Sequence, residues 1–171
     1  MRRIVAVLCL ILLSAPAGLL AGEKKAPPVT IRLHGEGNER EGESFVSEVE
    51  LTNPPKKIFI RKVPVINERD VKAFLSFPGR DGSFGAYFRL DAHGANKLQQ
   101  FTTEERGDIA VIMINGRVAA AVMVDRPVKD GLLFVPAGIT AAEVAQLAQK
   151  YPEIGRESEF RKKPKTKKPE A

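Results

Sequence analysis

Cysteine, tryptophan and histidine are scarce in this sequence. Its 171 residues include one cysteine, no tryptophan and two histidines, and aromatic residues make up only 6%. A chain with a single thiol has no disulfide framework and no cysteine-based metal site. Two histidines also leave few routes to nucleophilic or metal-dependent catalysis. The composition therefore favours a fold held together by its apolar core and a role without cofactors.

An enzymatic interpretation would depend on the two histidines. His34 lies on a predicted strand next to a loop, and His93 lies in the first turn of a predicted helix, after Asp91. A general base formed by His93 with Asp91 or Asp70 would suit a small envelope hydrolase. Because no serine or cysteine nucleophile motif accompanies His93, an ordinary surface histidine is the simpler interpretation. We predict a non-enzymatic protein and keep the hydrolase as the alternative.

The N-terminus predicts export. Arg2 and Arg3 precede an apolar run from Ile4 to Leu13, and small residues follow around two cleavage sites, after Ala17 and after Ala21. This is the layout of a secretory signal peptide. We therefore predict a signal over residues 1–21, which contains the only cysteine, and a mature protein in the periplasm or outside the cell. An uncleaved anchor is the alternative, and contact with a membrane is expected only in that case.

Charge is absent, on balance, from the middle of the chain. The net charge is +6, yet residues 22–155 carry 18 basic and 18 acidic side chains. The excess belongs to the signal and to residues 156–171, which read "RESEFRKKPKTKKPEA". Such a segment is expected to be disordered and available for weak contact with anionic surfaces, or to act only as a solubilising tail. With few aromatics and no basic cluster on the body, no nucleic-acid partner is expected.

Residues 22–65 predict a strand-rich N-terminal region. The runs "PPVTIRLHGEG" and "ESFVSEVELT" alternate apolar and polar residues, and the polar loop between them suggests that they form a hairpin. The turn Asn53-Pro54-Pro55 leads into a third run that Pro64 would place at a strand end.

Residues 66–107 mix predicted helices and strands. Asn67 and Asp70 resemble a helix N-cap pair and predict a short helix through about Ala73. After a turn at "PGRDGSFG", the run "AYFRL" is a strand and Asp91 caps a longer helix. Its buried stripe is Ala95, Leu98 and Phe101 or Thr102, Arg106 lies in its last turn, and Gly107 is the residue that stops it. This placement argues against an adhesion motif at "RGD".

The stretch "IAVIMINGRVAAAVMV" predicts a buried hairpin. Asn115 and Gly116 form its two-residue turn, because a type I′ turn needs positive φ at both positions. The next run, "LLFVPAG", is a strand that ends at Gly138. Thr140 and Glu143 then have the spacing of a capping box at the start of a last helix.

The order of these elements, with their turn residues, resembles the head of the first periplasmic domain of SecD, an accessory subunit of bacterial protein export. The resemblance runs from Ile66 to Ala148, about half of the chain, and implies contact with polypeptide segments or envelope proteins. The transmembrane helices of true SecD proteins have no counterpart here, so a stand-alone exported relative is expected. The matching positions are Gly94 and Ala95, Phe101 and Thr102, Gly107, 110–116, 120–122, Gly138 and 140–148.

These observations predict an α+β fold, with a mostly antiparallel sheet, two or three short helices packed on it and an N-terminal β-hairpin region. The expected divisions are a signal peptide (1–21), the N-terminal strand region (22–65), the SecD-head-like domain (66–155) and the basic tail (156–171). We expect an exported, non-enzymatic interaction module without a metal or cofactor. The hydrolase and a protein held to anionic surfaces by its tail are the alternatives.

Overall fold

The structure is a computed structural model that describes residues 29–52 and 55–160. The predicted signal peptide, the part of the basic tail from Arg161 onward and the turn residues Asn53 and Pro54 lie outside the described residues. Among the described residues, no helix is both long and apolar enough to cross a membrane.

Antiparallel strands dominate the described part of the chain, which confirms the predicted α+β fold. A three-residue 3₁₀ turn, Glu39–Glu41, precedes β2. The strands are β1 (Ile31–Gly35), β2 (Val46–Thr52), β3 (Pro55–Arg61), β4 (Val71–Pro78), β5 (Phe84–Leu90), β6 (Ile109–Ile114), β7 (Arg117–Met123) and β8 (Leu132–Ile139), and the helices are α1 (Ala92–Glu104), α2 (Ala141–Lys150) and the one-turn α3 (Glu157–Phe160).

The strands form three sheets in the described residues. β6 lies between β1 and β7, β5 lies between β4 and β8, and β2 pairs with β3 alone. The N-terminal hairpin is therefore β2–β3, and the predicted pairing of the first run with the second is wrong. β1 instead pairs with β6, far along the sequence, so the N-terminal region and the later part of the chain share a sheet.

Two apolar clusters hold the layers together. The main cluster joins the inner faces of β4, β5 and β8 to one face of β1 and β6 and to both longer helices, with Phe88, Ile112 and Leu147 near its centre. The second cluster lies between the opposite face of β6 and the β2–β3 hairpin, where Val111 contacts the group of Leu51, Ile58 and Ile60. Strand β6 is thus covered on both faces, whereas β1 keeps Arg32 exposed on the face opposite the main cluster.

The predicted short helix from Asn67 to Ala73 is absent, because residues 67–70 form a turn and β4 begins at Val71. The N-cap pattern itself is real: the Asn67 amide donates to Asp70 Oδ2 at 2.9 Å. No helix follows, since the residues after Asp70 pair with β5 along the whole of β4. The apolar pairing along this strand outweighs a local signal that only a few residues support.

Helix α1 begins as expected and ends slightly earlier. Asp91 accepts a hydrogen bond from the Gly94 amide at 2.7 Å, while Leu98, Phe101 and Thr102 are buried. The helix ends at Glu104, so Arg106 lies beyond its last turn rather than within it.

The segment after α2 covers part of the outer edge of the β4–β5–β8 sheet. Beyond α2, the Pro152 carbonyl accepts from the Phe74 amide and the Ile154 amide donates to the Phe74 carbonyl, both at 3.0 Å. These bonds form a parallel bridge between Phe74 and Glu153 on the outer edge of β4. The segment just before α3 is therefore bound to the β4–β5–β8 sheet.

Candidate interaction surface

The outer face of the β4–β5–β8 sheet carries a cluster of aromatic rings. Phe77, Tyr87 and Phe134 lie with their ring centroids 5.0–6.1 Å apart, the closest pair being Tyr87 and Phe134. Tyr87 is 39% exposed and Phe134 is 42% exposed, so the cluster faces solvent. These separations are typical of stabilising aromatic pairs, which makes the cluster a firm surface and not three independent side chains. We call Leu75, Phe77, Tyr87 and Phe134 the aromatic face.

Alternation along three strands places these rings outside. Tyr87 stands opposite Leu75 on one side and Phe134 on the other, whereas Phe88 stands opposite Phe74 and Leu133 on the inner, buried side. Since neighbouring residues of a strand point to opposite faces, each strand contributes apolar residues to both sides of the sheet. The sheet is therefore apolar on both faces, but only one of them is covered.

Gly85 leaves room for one of the rings. Gly85 pairs with Phe77 across the β4–β5 ladder. A Cβ atom on Gly85 would overlap both the Phe77 ring and the Pro136 carbonyl oxygen. The missing side chain thus allows the Phe77 ring to lie against the backbone at Gly85.

An apolar cleft opens beside the aromatic face. It occupies about 180 Å³ between the end of β7 and the start of β8, where Met123 and Phe134 form its rim. Its floor reaches residues of the main core, including Leu33, Leu98 and Ile112. Met123 is 66% exposed. The cleft therefore connects the surface with the core at one side of the aromatic face.

The turn residues singled out from the sequence lie at the opposite end of β7. Asn115 and Gly116 have φ of 51° and 81° and join β6 to β7. The Asn115 side chain accepts from the Thr30 amide at 3.1 Å, which ties the turn to the start of β1. Gly138 has φ of 91°, and a Cβ atom there would overlap the carbonyl of Ala119 on β7. These residues position strands and do not border the aromatic face.

Thr140 and Glu143 form a capping box at the start of α2. Glu143 is buried, accepts from the Thr140 amide at 2.8 Å and also accepts from Arg117 Nε at 3.1 Å. Burial alone would raise the pKa of this carboxyl. The hydrogen bonds from Arg117 and Thr140 outweigh burial, and the net effect lowers its pKa. The box thus links α2 to the start of β7.

Residues considered for adhesion and catalysis are dispersed. Gly107 has φ of 96°, and its amide donates to the carbonyl of Val124, the residue after β7, at 2.9 Å. The cap of α1 is Glu105, so Gly107 does not itself end the helix. Asp108 accepts at its backbone from the Val124 amide. His93 is exposed on the first turn of α1, whereas Asp70 is buried and pairs with Lys97 at 2.9 Å. The described residues hold no group of three or more His, Asp or Glu side chains suited to a metal ion.

The described fold resembles solved structures of SecDF. One, described as a membrane component that enhances protein export, shares 14% identity at a TM-score of 0.50 and is matched over 73% of this chain and 64% of its own. The chain has a SecD-like domain fold. A second SecDF structure, in its Super-membrane-facing form, is 13% identical at a TM-score of 0.51, matched over 73% of this chain and 19% of its own.

The SecD-like match spans less than two thirds of either SecDF chain, and at this identity it concerns the fold. It covers more of this chain than the stretch from Ile66 to Ala148 in which the sequence resemblance was seen. No family model matches the sequence, and no curated protein does.

Sequence reasoning missed the aromatic face. Phe77, Tyr87 and Phe134 each lay in a run or strand that the sequence indicated. What was lacking was the order β4–β5–β8, which brings residues from three separate strands into one patch.

Proposed function

We propose that this protein is an exported, non-enzymatic interaction module of the cell envelope that assists protein export by binding apolar polypeptide segments. The observation that carries the proposal is the uncovered aromatic face of Leu75, Phe77, Tyr87 and Phe134 on a SecD-like fold. Contiguous apolar surface of this kind costs solubility, and in soluble proteins it marks interaction sites. The similarity to a SecDF structure described as enhancing protein export supports the choice of process.

The rings suit recognition without strict sequence specificity. Phe77, Tyr87 and Phe134 are held by one another and by the sheet, so little side-chain entropy is lost when a partner binds. Aromatic side chains are enriched in the centres of protein interfaces for this reason. Such a face contacts apolar side chains of many kinds, as a protein that meets varied exported chains requires.

The adjoining cleft favours a polypeptide over a small molecule. Its volume of about 180 Å³ lies below the range of roughly 300–1,000 Å³ that is usual for small-molecule sites. A single large apolar side chain is a better match. An extended segment lying across Phe134 would place one side chain in the cleft and others on the rings.

The double variant Tyr87→Ser/Phe134→Ser tests this function. Fluorescence anisotropy with a labelled, unstructured peptide rich in Leu and Phe should show at least about tenfold weaker binding, because two central contacts of a few kcal/mol together are removed. The double variant Phe45→Ser/Val63→Ser is the control, since these residues are 67% and 79% exposed but lie outside the face.

The control variant should keep the melting temperature of the parent to within a few degrees, because its substituted side chains are exposed. Tyr87→Ser/Phe134→Ser also loses ring contacts and should melt lower, so binding is compared at a temperature at which circular dichroism shows both variants to be folded. The proposal would be refuted if the parent protein bound the apolar peptide no more tightly than it bound a control peptide with Ser in place of Leu and Phe. Equal loss in the two double variants would refute the location.

A further inference from the structure

A second, polar cleft lies between β1 and the β2–β3 hairpin. Its volume is about 400 Å³, within the usual range for small-molecule sites. Thr30, Arg32 and His34 line one wall, and Ser47 and Lys62 line the other. The cleft belongs to neither the aromatic face nor the cleft beside Phe134. Its lining carries two cations and several hydrogen-bonding groups, so its chemistry differs from that of the proposed polypeptide site.

His34 presents a hydrogen-bond acceptor to this cleft. Its side chain is 5% exposed, and Nδ1 lies 2.8 Å from the carbonyl oxygen of Arg61. A carbonyl oxygen only accepts, so Nδ1 carries the proton and Nε2 keeps a free lone pair. His34 lines the cleft, and Nε2 is not among the fully enclosed, unpaired side-chain atoms of the described residues, so we infer that Nε2 is the ring atom that faces the cleft.

The ring of His34 stays neutral at neutral pH. Burial lowers its pKa, the hydrogen bond to the Arg61 carbonyl opposes this, and the nearby charge of Arg32 lowers it further. The net shift is downward, so Nε2 remains an acceptor in the range where the protein would work.

Two cations accompany this acceptor. Arg32 is exposed and forms no ion pair with any described residue. Lys62 Nζ donates to the Glu43 carbonyl and has two further protons to donate. One carboxylate, Glu48, also lines the cleft, but Lys57 pairs with it at 3.2 Å. The cleft thus combines an unpaired hydrogen-bond acceptor, His34 Nε2, with an excess of positive charge.

We propose that this cleft binds a small oxyanion that still carries a proton, with hydrogen phosphate as the simplest member of the class. Its hydroxyl donates to His34 Nε2, while its other oxygens accept from Arg32 and Lys62. The planar guanidinium of Arg32 matches two such oxygens at once. Sulfate has the same shape and charge but no proton at neutral pH, so it would leave Nε2 facing an oxygen lone pair.

Discrimination between these two ions is the test. Side-chain ¹⁵N NMR of the full chain, near neutral pH and at constant ionic strength, follows the His34 ring during titration with phosphate and, separately, with sulfate. Phosphate should shift the Nε2 resonance saturably and bind at least about tenfold more tightly than sulfate, since one hydrogen bond to a charged group is at stake. An equal response to both ions, or no saturable response to phosphate, would overturn the proposal.

Two matched variants locate the ion. Arg32→Gln removes an exposed side chain and should keep the parent's melting temperature while losing most of the phosphate response. Arg89→Gln removes an arginine of β5, away from the cleft, that pairs with Glu157 of α3. This variant should titrate like the parent. A phosphate response retained in Arg32→Gln, or lost equally in both variants, would show that the ion binds elsewhere or through general charge.

Discussion

Gly116 has a backbone conformation that few residues tolerate. Its φ is 81°, and that of the preceding Asn115 is 51°. No atom lies within 4 Å of the position that a Cβ on Gly116 would take. A substitution there meets backbone strain alone, without a steric clash, so its cost depends on how well the new residue accepts positive φ.

Gly116→Val should lower the free energy of unfolding by roughly 1 to 3 kcal/mol, because a β-branched residue is forced to positive φ. Gly116→Asn is the matched control and should cost clearly less, since asparagine accepts this conformation. Arg106→Ala and Asp108→Ala should each cost about 0.5 kcal/mol or less. Chemical denaturation of the four variants gives the order, and a silent Gly116→Val would contradict it.

Short-range patterns in the sequence were informative where a few neighbouring residues decide the conformation. The spacing of Thr140 and Glu143 and the dipeptide Asn115-Gly116 can be interpreted without knowing the rest of the fold. The pair Asn67 and Asp70 shows the limit of such patterns. It forms the expected hydrogen bond, yet the conformation of the following residues is set by pairing with β5.

One buried carboxylate links the start of helix α2 to β7. Glu143 accepts hydrogen bonds from Thr140 in its own cap and from Arg117 on β7. Its pKa is lowered, so the ionised form is the one that stabilises the folded state. This contribution is complete above the ordinary pKa of a glutamate, about 4.3, and is lost as the pH falls toward the lowered value.

Glu143→Gln should therefore cost about 1 to 2 kcal/mol at neutral pH, from a weakened cap and a lost charged hydrogen bond. The difference in stability between parent and variant should shrink as the pH falls below about 5. Urea denaturation at a series of pH values measures it. Glu50→Gln, an exposed change on β2, should run parallel to the parent, and a gap for Glu143→Gln that is independent of pH would contradict this account.

Strand partners were harder to predict than strands. The alternation in β1 and β2 identified both elements but did not determine what each pairs with, and proximity in sequence suggested the wrong hairpin. β1 pairs with β6 because apolar residues of both strands lie in the main cluster, a property that follows from the complete arrangement of layers. The SecD-like order of elements was informative at this level, because it uses the whole succession of strands and helices.

The whole molecule should fold without residues 161–171 of its basic tail. Truncation after Phe160 keeps α3 and the ion pair between Arg89 and Glu157 at 3.0 Å, so the melting temperature should stay within a few degrees of the parent's. Truncation after Gly155 removes that pair and should lower it further. Calorimetry of both forms decides, and a loss of cooperative unfolding in the first would mean that the tail contributes to the fold.

The same truncation addresses the proposed contact with anionic surfaces. Vesicles containing anionic lipid should bind the full chain at low salt and much less at physiological salt, because screening shortens the reach of the tail's charges. The form that ends at Phe160 should bind weakly at both. Equal binding by both forms would assign the contact to the folded body.

The bridge between Phe74 and Glu153 has a consequence for self-association. The outer edge of β4 borders the aromatic face, and an uncovered edge next to apolar residues invites copies of a protein to stack strand upon strand. Pro152 and Ile154 occupy the Phe74 amide and carbonyl, and Pro78 at the end of β4 has no amide proton to offer. A second copy would first have to displace the chain's own segment. The aromatic face therefore lies beside a strand edge whose backbone groups at Phe74 are already paired and do not offer a site for a strand of a second copy.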